Sequence, residues 1–544
     1  MMKSNHMLLL FYLFIILLLK PTFAIYPIPN YNSDVKANPL EELYKEVTPE
    51  YMKEVLEKVS SLFDSYVFSD ILANPPNPYD DVKLNISFIF AHIEVDKKRP
   101  FYEFYRDFKM ALSVLRDSNF DIIGGNITFK LDDIIPFGDY RMCLPFKFYL
   151  DYEDNKDVKM YIKDYPPCSQ FYESSIVDLI KANENNNVVE INGTDAFDFL
   201  QNFGTEFYRF KNPDSHFSII IDSIHDNHLS FTPLTLEQLN SVNLVFNNEE
   251  TLETYFHIIK QSQEALLKKS YINENTNAEV TWNYNSTNGE IKCRVDSDAK
   301  LNVIFFKSFY IEENGSLTIS KCADLFYKNE YKIVIITSQL WEGNNLFAYI
   351  YAQYLFPKLD IKFNMAMKKS DLNKDLFESN KDQFLDPKTC RPFETWENFL
   401  ESEPDKYDEI NHYRSKIYNP IPETILTEAK FRREELLKYG FIKRSTDILI
   451  LTDTVAYGPA SNFIKTIQNN GGAIIASYSG NPKLKKEEIK TLDASLDPVD
   501  STIYDNSSIY KDLAEKGFLI YNIPFAESFE KLENNTYPMA FKVN

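Results

Sequence analysis

The sequence predicts an α/β fold, and two observations predict it. Beyond about residue 300, short continuous apolar segments alternate with segments of helical periodicity, which is typical of parallel β–α units covered on both faces. Before that point, a region of helical periodicity is followed by a region of short strands and turns. With 544 residues, 44% of them hydrophobic, the chain is long enough to bury a large core.

The composition excludes several classes of partner. Lys plus Arg number 58 and Asp plus Glu number 80, so the formal net charge is -22. A surface of that sign repels phosphate backbones and anionic lipid headgroups. We therefore expect no nucleic-acid partner and no docking on anionic membranes.

The first 24 residues predict a secretory signal. Lys3 and His6 precede an apolar run from Met7 to Leu19, and Thr22-Phe23-Ala24 ends in positions suited to cleavage. The run is short for a membrane span, although an uncleaved anchor is the alternative. We expect a secreted, extracellular protein with no stable membrane insertion after signal cleavage.

The N-terminal region, residues 25–135, is predicted to be helical, with helices at 38–60 and 101–115. The middle region, residues 136–295, is predicted to be β-rich. Its predicted elements are strands at 146–152, 188–192 and 217–221 and a short helix at 195–203.

The C-terminal region, residues 296–544, carries the alternating β–α pattern. A polar, proline-containing stretch at about 366–430 predicts an excursion from its core. The predicted strands are 302–310, 332–337, 447–452, 473–476 and 518–523, and the predicted helices are 347–355 and 461–468.

The 5 cysteines allow at most two disulfide bridges, and Cys143 with Cys168 is one possible pair. No C-x-x-C pair is present, which excludes a zinc ribbon. His225 and His228 form an H-x-x-H spacing without a third supporting ligand, so we predict no metal site. The glycosylation pattern N-x-S/T agrees with a secreted glycoprotein and is found at Asn85, Asn126, Asn192, Asn285, Asn314, Asn506 and Asn534.

One stretch carries a family resemblance. Asp447-Ile-Leu-Ile-Leu-Thr-Asp453 is followed by a small-residue turn, then by Ser461-Asn-Phe463 and by Gly471-Gly-Ala-Ile-Ile-Ala476. This order resembles the nucleophile region of the tail-specific, or C-terminal-processing, serine peptidases. Agreeing segments elsewhere are Tyr66-Val-Phe-Ser-Asp70, Phe101-Tyr-Glu-Phe104, Arg116-Asp117, Ile191-Asn-Gly-Thr-Asp195 and Val334-Ile-Ile-Thr-Ser338.

The resemblance covers roughly residues 40–540 and implies a crotonase-like α/β core, a helical N-terminal part and a PDZ-like β-rich middle domain. It also implies a serine peptidase that takes unfolded or extended polypeptide and uses no cofactor. In that family a strand ends in Asp or Asn, and a turn delivers the nucleophilic Ser to the N-terminus of a helix. The amides of that helix terminus stabilise the oxyanion.

At the positions that matter most, this chain departs from the family. Gly458 occupies the position of the nucleophilic Ser, and Asn119 occupies the position of the catalytic His of the secreted branch. The turn that supplies the oxyanion hole, normally rich in glycine, contains Gly343, Asn344 and Asn345. Because neither Gly nor Asn can act as nucleophile or base, the leading prediction is a catalytically impaired homologue that still binds peptide.

Two alternatives stay open. Ser461 is a candidate displaced nucleophile, although a helix-capping role is the simpler interpretation. Lys483 is a candidate base at the position where lysine-dyad members carry theirs, although it also belongs to a charged surface run. Together they describe an active secreted serine endopeptidase. The other alternative is an extracellular interaction protein with no peptide groove.

Overall fold

The structure is a computed structural model. It describes residues 46–75, 83–117, 120–124, 140–152, 158–228, 233–260, 281–287, 289–309, 315–337, 345–357, 359, 364–379, 381, 391–401, 414–418, 423–440, 443–453, 455–456, 458–469, 472–477, 480–484, 508–516, 518–524 and 526–529. The signal peptide predicted at residues 1–24 lies outside the described residues, and so does Cys390.

The N-terminal region is mainly helical. Its elements are β1 (Glu46–Val47), α1 (Pro49–Leu62), β2 (Arg99–Pro100), α2 (Phe101–Ser113) and β3 (Asp121–Gly124), with short 3-10 helices at Ile71–Ala73 and Ile86–Phe88.

Helix α1 begins later than predicted. Thr48 caps it by accepting a hydrogen bond from the amide of Tyr51 at 3.3 Å, and Pro49 occupies the first helical turn. The residue before a proline disfavours helical backbone, so the predicted helix at 38–60 cannot run through this point. Residues 38–45 of that prediction lie outside the described residues. The helix predicted at 101–115 is confirmed as α2.

The middle region combines three small sheets with short helices. Its strands are β4 (Tyr140–Cys143), β5 (Phe146–Asp151), β6 (Lys159–Asp164), β7 (Val188–Ile191), β8 (Thr194–Asp195), β9 (Asp226–His228), β10 (Val242–Phe246), β11 (Thr251–Thr254) and β12 (His257–Lys260). Its helices are α3 (Pro166–Ser169), α4 (Ser174–Asn183), α5 (Ala196–Phe207), α6 (Pro213–Ser223) and α7 (Leu236–Asn240). The strand orders are β11-β10-β7-β8, β12-β4-β9 and β5-β6.

The strand predicted at 217–221 is wrong, because these residues lie inside helix α6. Asn212 caps this helix by accepting a hydrogen bond from the amide of Asp214 at 3.1 Å, and Pro213 occupies its first turn. The run of Ile and Phe that favours a strand here is instead buried from His216 through Ile221. A helix buried on most of its faces shows no clear period of 3.6, so an apolar run alone does not distinguish it from a buried strand.

The C-terminal region is built on a sheet of six strands. Two of its strands, β13 (Tyr284–Asn285) and β14 (Ile291–Asp296), begin in the last part of the middle region. The elements that follow, up to residue 355, are β15 (Leu301–Phe306), α8 (Gly315–Phe326), β16 (Lys332–Thr337) and α9 (Asn345–Leu355). The elements that follow are β17 (Asn364–Lys368), α10 (Asp371–Ser379), α11 (Trp396–Glu401), β18 (Arg414–Tyr418), α12 (Glu423–Leu437), a 3-10 helix (Ser445–Asp447), β19 (Ile448–Thr452), α13 (Pro459–Asn469), β20 (Ile474–Ser477), α14 (Ser508–Glu515), β21 (Phe518–Asn522) and β22 (Ala526–Phe529).

The order of the main sheet is β13-β14-β15-β16-β19-β20, and β15, β16, β19 and β20 are parallel. The α/β prediction is therefore confirmed. The stretch predicted as a polar excursion at about 366–430 contains regular structure, because β17 pairs with β18 and with β22 in a separate antiparallel sheet. Strand β21 is not part of the main sheet and pairs with β3 of the N-terminal region.

Packing joins the three regions. A single large hydrophobic cluster contains residues from all of them, among them Phe104, Phe217, Phe463 and Phe518. Two disulfides add covalent links, Cys143–Cys168 between β4 and α3 and Cys293–Cys322 between β14 and α8. The first is the pair considered from the sequence. Within the described residues, no helix has the length and apolarity needed to cross a membrane.

Candidate functional site

The candidate site lies where two neighbouring parallel strands end. Strands β16 and β19 pair in register up to Thr337 and Thr452. Because the carboxyl ends of parallel strands meet at one edge of a sheet, the turns that follow these strands start side by side. They are the turn predicted to supply the oxyanion hole and the turn that carries Gly458. Gly343 and Asn344 lie outside the described residues, and Asn345 is the first residue of α9.

Gly458 is the residue that joins this turn to helix α13. Its φ of 56° lies in the left-handed region, where a residue with a side chain is strained. Its carbonyl oxygen accepts a hydrogen bond from the amide of Asn462 at 3.0 Å, and α13 begins at the next residue, Pro459. The position is buried. Strand β19 therefore leads through this turn into α13, and the residue before the helix, Gly458, has no side chain.

Ser461, the nearest hydroxyl along α13, does not cap the helix. Its side chain is fully buried, and its Oγ has no hydrogen-bond partner among the residues that the structure describes. The capping interpretation fails because the capping position belongs to Gly458, whereas Ser461 lies within the first helical turn. A buried hydroxyl without a partner costs stability, so the packing around Ser461 must offset that cost.

The turn itself is held by local and long-range contacts. Asp453, directly after β19, accepts a hydrogen bond from the amide of Val455 at 3.1 Å through Oδ1, which is an Asx turn. Val455 in turn packs in a small apolar cluster with Phe210 and Ile219 of the middle region. The middle region therefore contacts the turn that carries Gly458.

Asn119 lies outside the described residues, but the segments on both sides of it are firmly held. On one side, the buried carboxylate of Asp117 accepts a hydrogen bond from the hydroxyl of Tyr66 at 2.8 Å. On the other side, Oδ1 of Asp121 lies 2.6 Å from Nζ of Lys109 and 2.8 Å from Nη2 of Arg209. Asp121 and Lys109 are buried, and the side chain of Arg209 is 10% exposed.

His216 is the histidine that the fold brings to this segment. Nη1 of Arg116 lies 3.3 Å from its Nε2, and its Nδ1 lies 3.3 Å from Oγ1 of Thr205. Nε2 also accepts a hydrogen bond from the amide of Phe210 at 3.1 Å. Burial, followed by the charge of Arg116, lowers the pKa of His216 to about 3. Because an amide only donates, Nε2 is the unprotonated nitrogen, and its lone pair is already engaged.

From the sequence, His216 is an isolated histidine that only proximity in the fold could bring to the site. No local signal pairs it with Arg116, which lies 100 positions earlier. His412, another histidine that is isolated in the sequence, lies outside the described residues.

Lys483 lies at the surface, where it forms an ion pair with a carboxylate. Its Nζ lies 2.5 Å from Oδ2 of Asp195, and 5.0 Å from the ring centroid of Phe197. The side chains of the ion pair are 47% and 40% exposed. A lysine that acts as a general base must lose its proton, and a nearby carboxylate favours the protonated form.

For a metal, the described residues offer one group of three side chains, those of Cys143, Cys168 and Asp226. Both of its cysteines are joined in a disulfide, so the group offers no thiolate. The oxygen Oδ1 of Asp226 is paired with Nη2 of Arg141 at 2.6 Å.

Comparison with known proteins gives a distant likeness. No protein-family model matches the sequence, and no curated protein matches it. Among solved structures, mature CPAF complexed with lactacystin is similar at 12% sequence identity and a TM-score of 0.44, covering 78% of this chain and 83% of that chain. The photosystem II D1 C-terminal processing protease is similar at 10% identity and a TM-score of 0.27, covering 79% of this chain and 82% of that chain. Likeness at this level transfers no catalytic residue and no substrate, so the chemistry of the site rests on its own residues.

Proposed function

We propose that this chain is a secreted, catalytically impaired homologue of the tail-specific serine peptidases that binds extended polypeptide. The observation that carries the proposal is Gly458. It stands at a buried corner between a parallel strand and a helix, with a φ of 56°, where attack on a peptide carbonyl needs a side-chain oxygen.

The surrounding residues support the loss of catalysis. Acyl transfer needs a nucleophile with a base in hydrogen-bond reach. The hydroxyl of Ser461 is buried without a partner in the described part of the chain. The imidazole of His216 is engaged through both nitrogens. The ammonium of Lys483 is paired with Asp195.

Peptide binding is proposed from the sheet and from the charge. In the part of the chain that the structure describes, β20 is the last strand of the main sheet and pairs on one side only, with β19. An extended peptide can add to such an edge through main-chain hydrogen bonds. The net charge of -22 favours basic peptides over acidic ones. The crotonase-like description of the core and the PDZ-like description of the middle region belong to this proposal.

A serine-reactive fluorophosphonate probe tests the loss of catalysis. Purified protein is incubated with the probe and with an unfolded polypeptide, and labelling and cleavage are both measured. We expect neither. Labelling that disappears in the Ser461→Ala variant would establish Ser461 as a nucleophile and overturn the proposal.

Fluorescence anisotropy tests the peptide-binding half of the proposal. Extended peptides of equal length and opposite charge are titrated with the protein at low and high salt. We expect the basic peptide to bind more tightly and to lose affinity as salt screens the charges. If neither peptide binds, the alternative that this chain is an extracellular interaction protein with no peptide groove is favoured.

The second candidate, an active endopeptidase, has one observation in its favour. The Oγ of Ser461 is buried, and no hydrogen bond within the described residues gives it a structural role. This candidate predicts that Lys483→Ala abolishes cleavage while the protein stays folded. Unchanged turnover in that variant would count against it.

Secretion is part of the proposal and is supported by the two disulfides, which form in oxidising compartments. Three of the glycosylation patterns, at Asn85, Asn192 and Asn285, lie at exposed positions. Expression of the full chain in a secreting eukaryotic host tests this. We expect the protein in the medium, with an N-terminus beginning at Ile25 and with glycans that an N-glycosidase removes.

A further inference from the structure

Residues 480–483, here called the latch segment, follow β20 and lie against the N-terminal halves of α5 and α6. The amide of Asn481 donates to Oδ1 of Asp214 at 3.0 Å, and its side-chain Nδ2 donates to Oε1 of Gln201 at 3.3 Å. Lys483 adds its ion pair with Asp195, the residue that caps α5. The latch segment thus joins the main sheet to helices α5 and α6 of the middle region.

Gly480 makes this close approach possible. Its φ of 124° is accessible to glycine alone among common residues. A Cβ at this position would lie 2.6 Å from Oδ1 of Asp214, which is closer than real contacts allow. The backbone of the latch segment is therefore pressed directly onto the carboxylate that it binds.

Asp214 is buried with little to stabilise a negative charge. It is 3% exposed and accepts a hydrogen bond from the amide of Asn481. No lysine or arginine of the described residues forms an ion pair with it. The other titratable groups that bear on this pocket are the phenol of Tyr152 and the carboxylate of Asp222. Burial, with smaller contributions from Asp222 and Asp214, raises the pKa of Tyr152 to about 12.

We propose that the latch segment is an acid-tightened clasp between the middle region and the main sheet. When the segment is closed, it covers the Asp214 carboxylate, and when it opens, water reaches that carboxylate. Because water stabilises the ionised form and the closed pocket does not, a proton on Asp214 favours the closed state. The clasp therefore tightens as the pH falls from neutral to mildly acidic.

Two further observations agree with this direction. Burial raises the pKa of Asp214 to about 6, while the Asn481 amide opposes the shift only in part. At the other contact of the latch segment, the pKa of the Asp195 carboxyl shifts in the opposite direction. Burial acts to raise the pKa of Asp195, but the hydrogen bonds from Lys483 and from the amides of Asp198 and Phe197 lower it overall.

Hydrogen exchange of the Asn481 amide measures the clasp directly, since this N–H donates to Asp214. Protection factors, corrected for intrinsic exchange, are measured at about pH 5 and about pH 7.5 on the full chain. We expect protection to be about tenfold higher at the acidic pH, because a carboxyl with a pKa of about 6 is mostly protonated at about pH 5 and mostly ionised at about pH 7.5. The amide of Asn243, which donates to Oδ1 of Asn192 at 2.8 Å, is the control because its acceptor does not titrate.

Asp214→Asn keeps the acceptor oxygen and removes the titration. We expect its Asn481 protection to be high at both pH values. Parallel changes with pH in the protection of the Asn481 and Asn243 amides of the wild type would overturn the proposal. An Asp214→Asn variant whose Asn481 protection keeps the wild-type pH dependence would overturn it too.

The closed geometry is tested separately by Gly480→Ala, which places a Cβ against Asp214. We expect Asn481 to lose protection at both pH values. Gly440→Ala is the matched control. Gly440 also has a positive φ, 76°, but a Cβ added there would meet no atom of the described residues within 4 Å. Retained protection in Gly480→Ala would show that the segment is not held in this way.

Discussion

The Nε2 of His216 accepts a hydrogen bond from the amide of Phe210 at 3.1 Å, so the imidazole is held neutral in its buried site. The same nitrogen faces Arg116, whose charge opposes protonation further. A histidine held in this way fixes the chain around it and does not shuttle protons. We therefore expect replacement of His216 to change the stability of the fold at acidic pH and to leave turnover unaffected.

The first prediction concerns that acid stability. His216 has an unfolded pKa near 6.5 and a folded pKa of about 3, so between these values the unfolded state binds more protons. The free energy of unfolding therefore rises with pH across this window and is lost as the pH falls. Gln keeps an acceptor near the position of Nε2 but does not titrate. In His216→Gln, the number of protons taken up on unfolding within this pH window should therefore fall by about one. The substitution should cost about 1–2 kcal/mol at neutral pH.

Urea denaturation at several pH values between 3 and 7 measures this slope. Thr205→Ala is the control, since it removes the partner of Nδ1 and leaves the imidazole in place. A His216→Gln variant with the wild-type slope would contradict the prediction. Burial, and then the charges of Lys147 and Arg141, lower the pKa of His225 to about 3. His225 therefore contributes a similar pH dependence in the wild type and in the His216→Gln variant.

The second prediction is a gain of function. Gly458→Ser alone supplies a hydroxyl without a base, so we expect no labelling by a fluorophosphonate. Gly458→Ser combined with Asn119→His restores both positions of the family pattern and should give measurable labelling. Ser461→Ala in the double variant is the control and should leave that labelling in place. Labelling of the single variant would point to a base that already exists in this chain.

The third prediction concerns the buried ion cluster of Asp121, Lys109 and Arg209. Asp121→Asn keeps the shape of the side chain but leaves buried Lys109 and the largely buried Arg209 without this carboxylate. We expect a loss of about 3–5 kcal/mol in the free energy of unfolding. The matched control is Asp96→Asn, which breaks an exposed pair with Lys53 and should change little. Equal effects of the two variants would show that Asp121 is not the buried counter-ion.

The fourth prediction concerns the disulfide between Cys293 and Cys322, which closes a separation of 29 residues. Replacing both cysteines with serine should lower the free energy of unfolding by about 2–4 kcal/mol. Cys390→Ser is the control, and it should leave stability close to that of the wild type. With 5 cysteines and two bridges, 5 minus 4 leaves one thiol, which thiol titration of the unreduced, denatured wild type should find.

Much of the main sheet could be predicted from local patterns. The strand predicted at 332–337 has the observed bounds, Lys332–Thr337, because a parallel strand buried on both faces reads as an unbroken apolar run. The same kind of run misled at 217–221, where the start signal of Asn212 and Pro213 was the better guide. Strand β21 was found, but its partner β3 lies far away in the sequence, and local pattern carries no information about such pairing.

For the site, the sequence alone determined which chemical groups are present: a glycine at the predicted nucleophile position, an asparagine at the predicted base position and an excess of acidic residues. Only the tertiary structure decided what the remaining groups can do. It buried the Ser461 hydroxyl without a partner among the described residues, engaged both nitrogens of His216, and pressed the latch segment onto Asp214. The physical reason is that acidity and access depend on burial and on neighbours, and folding brings those neighbours from distant parts of the chain.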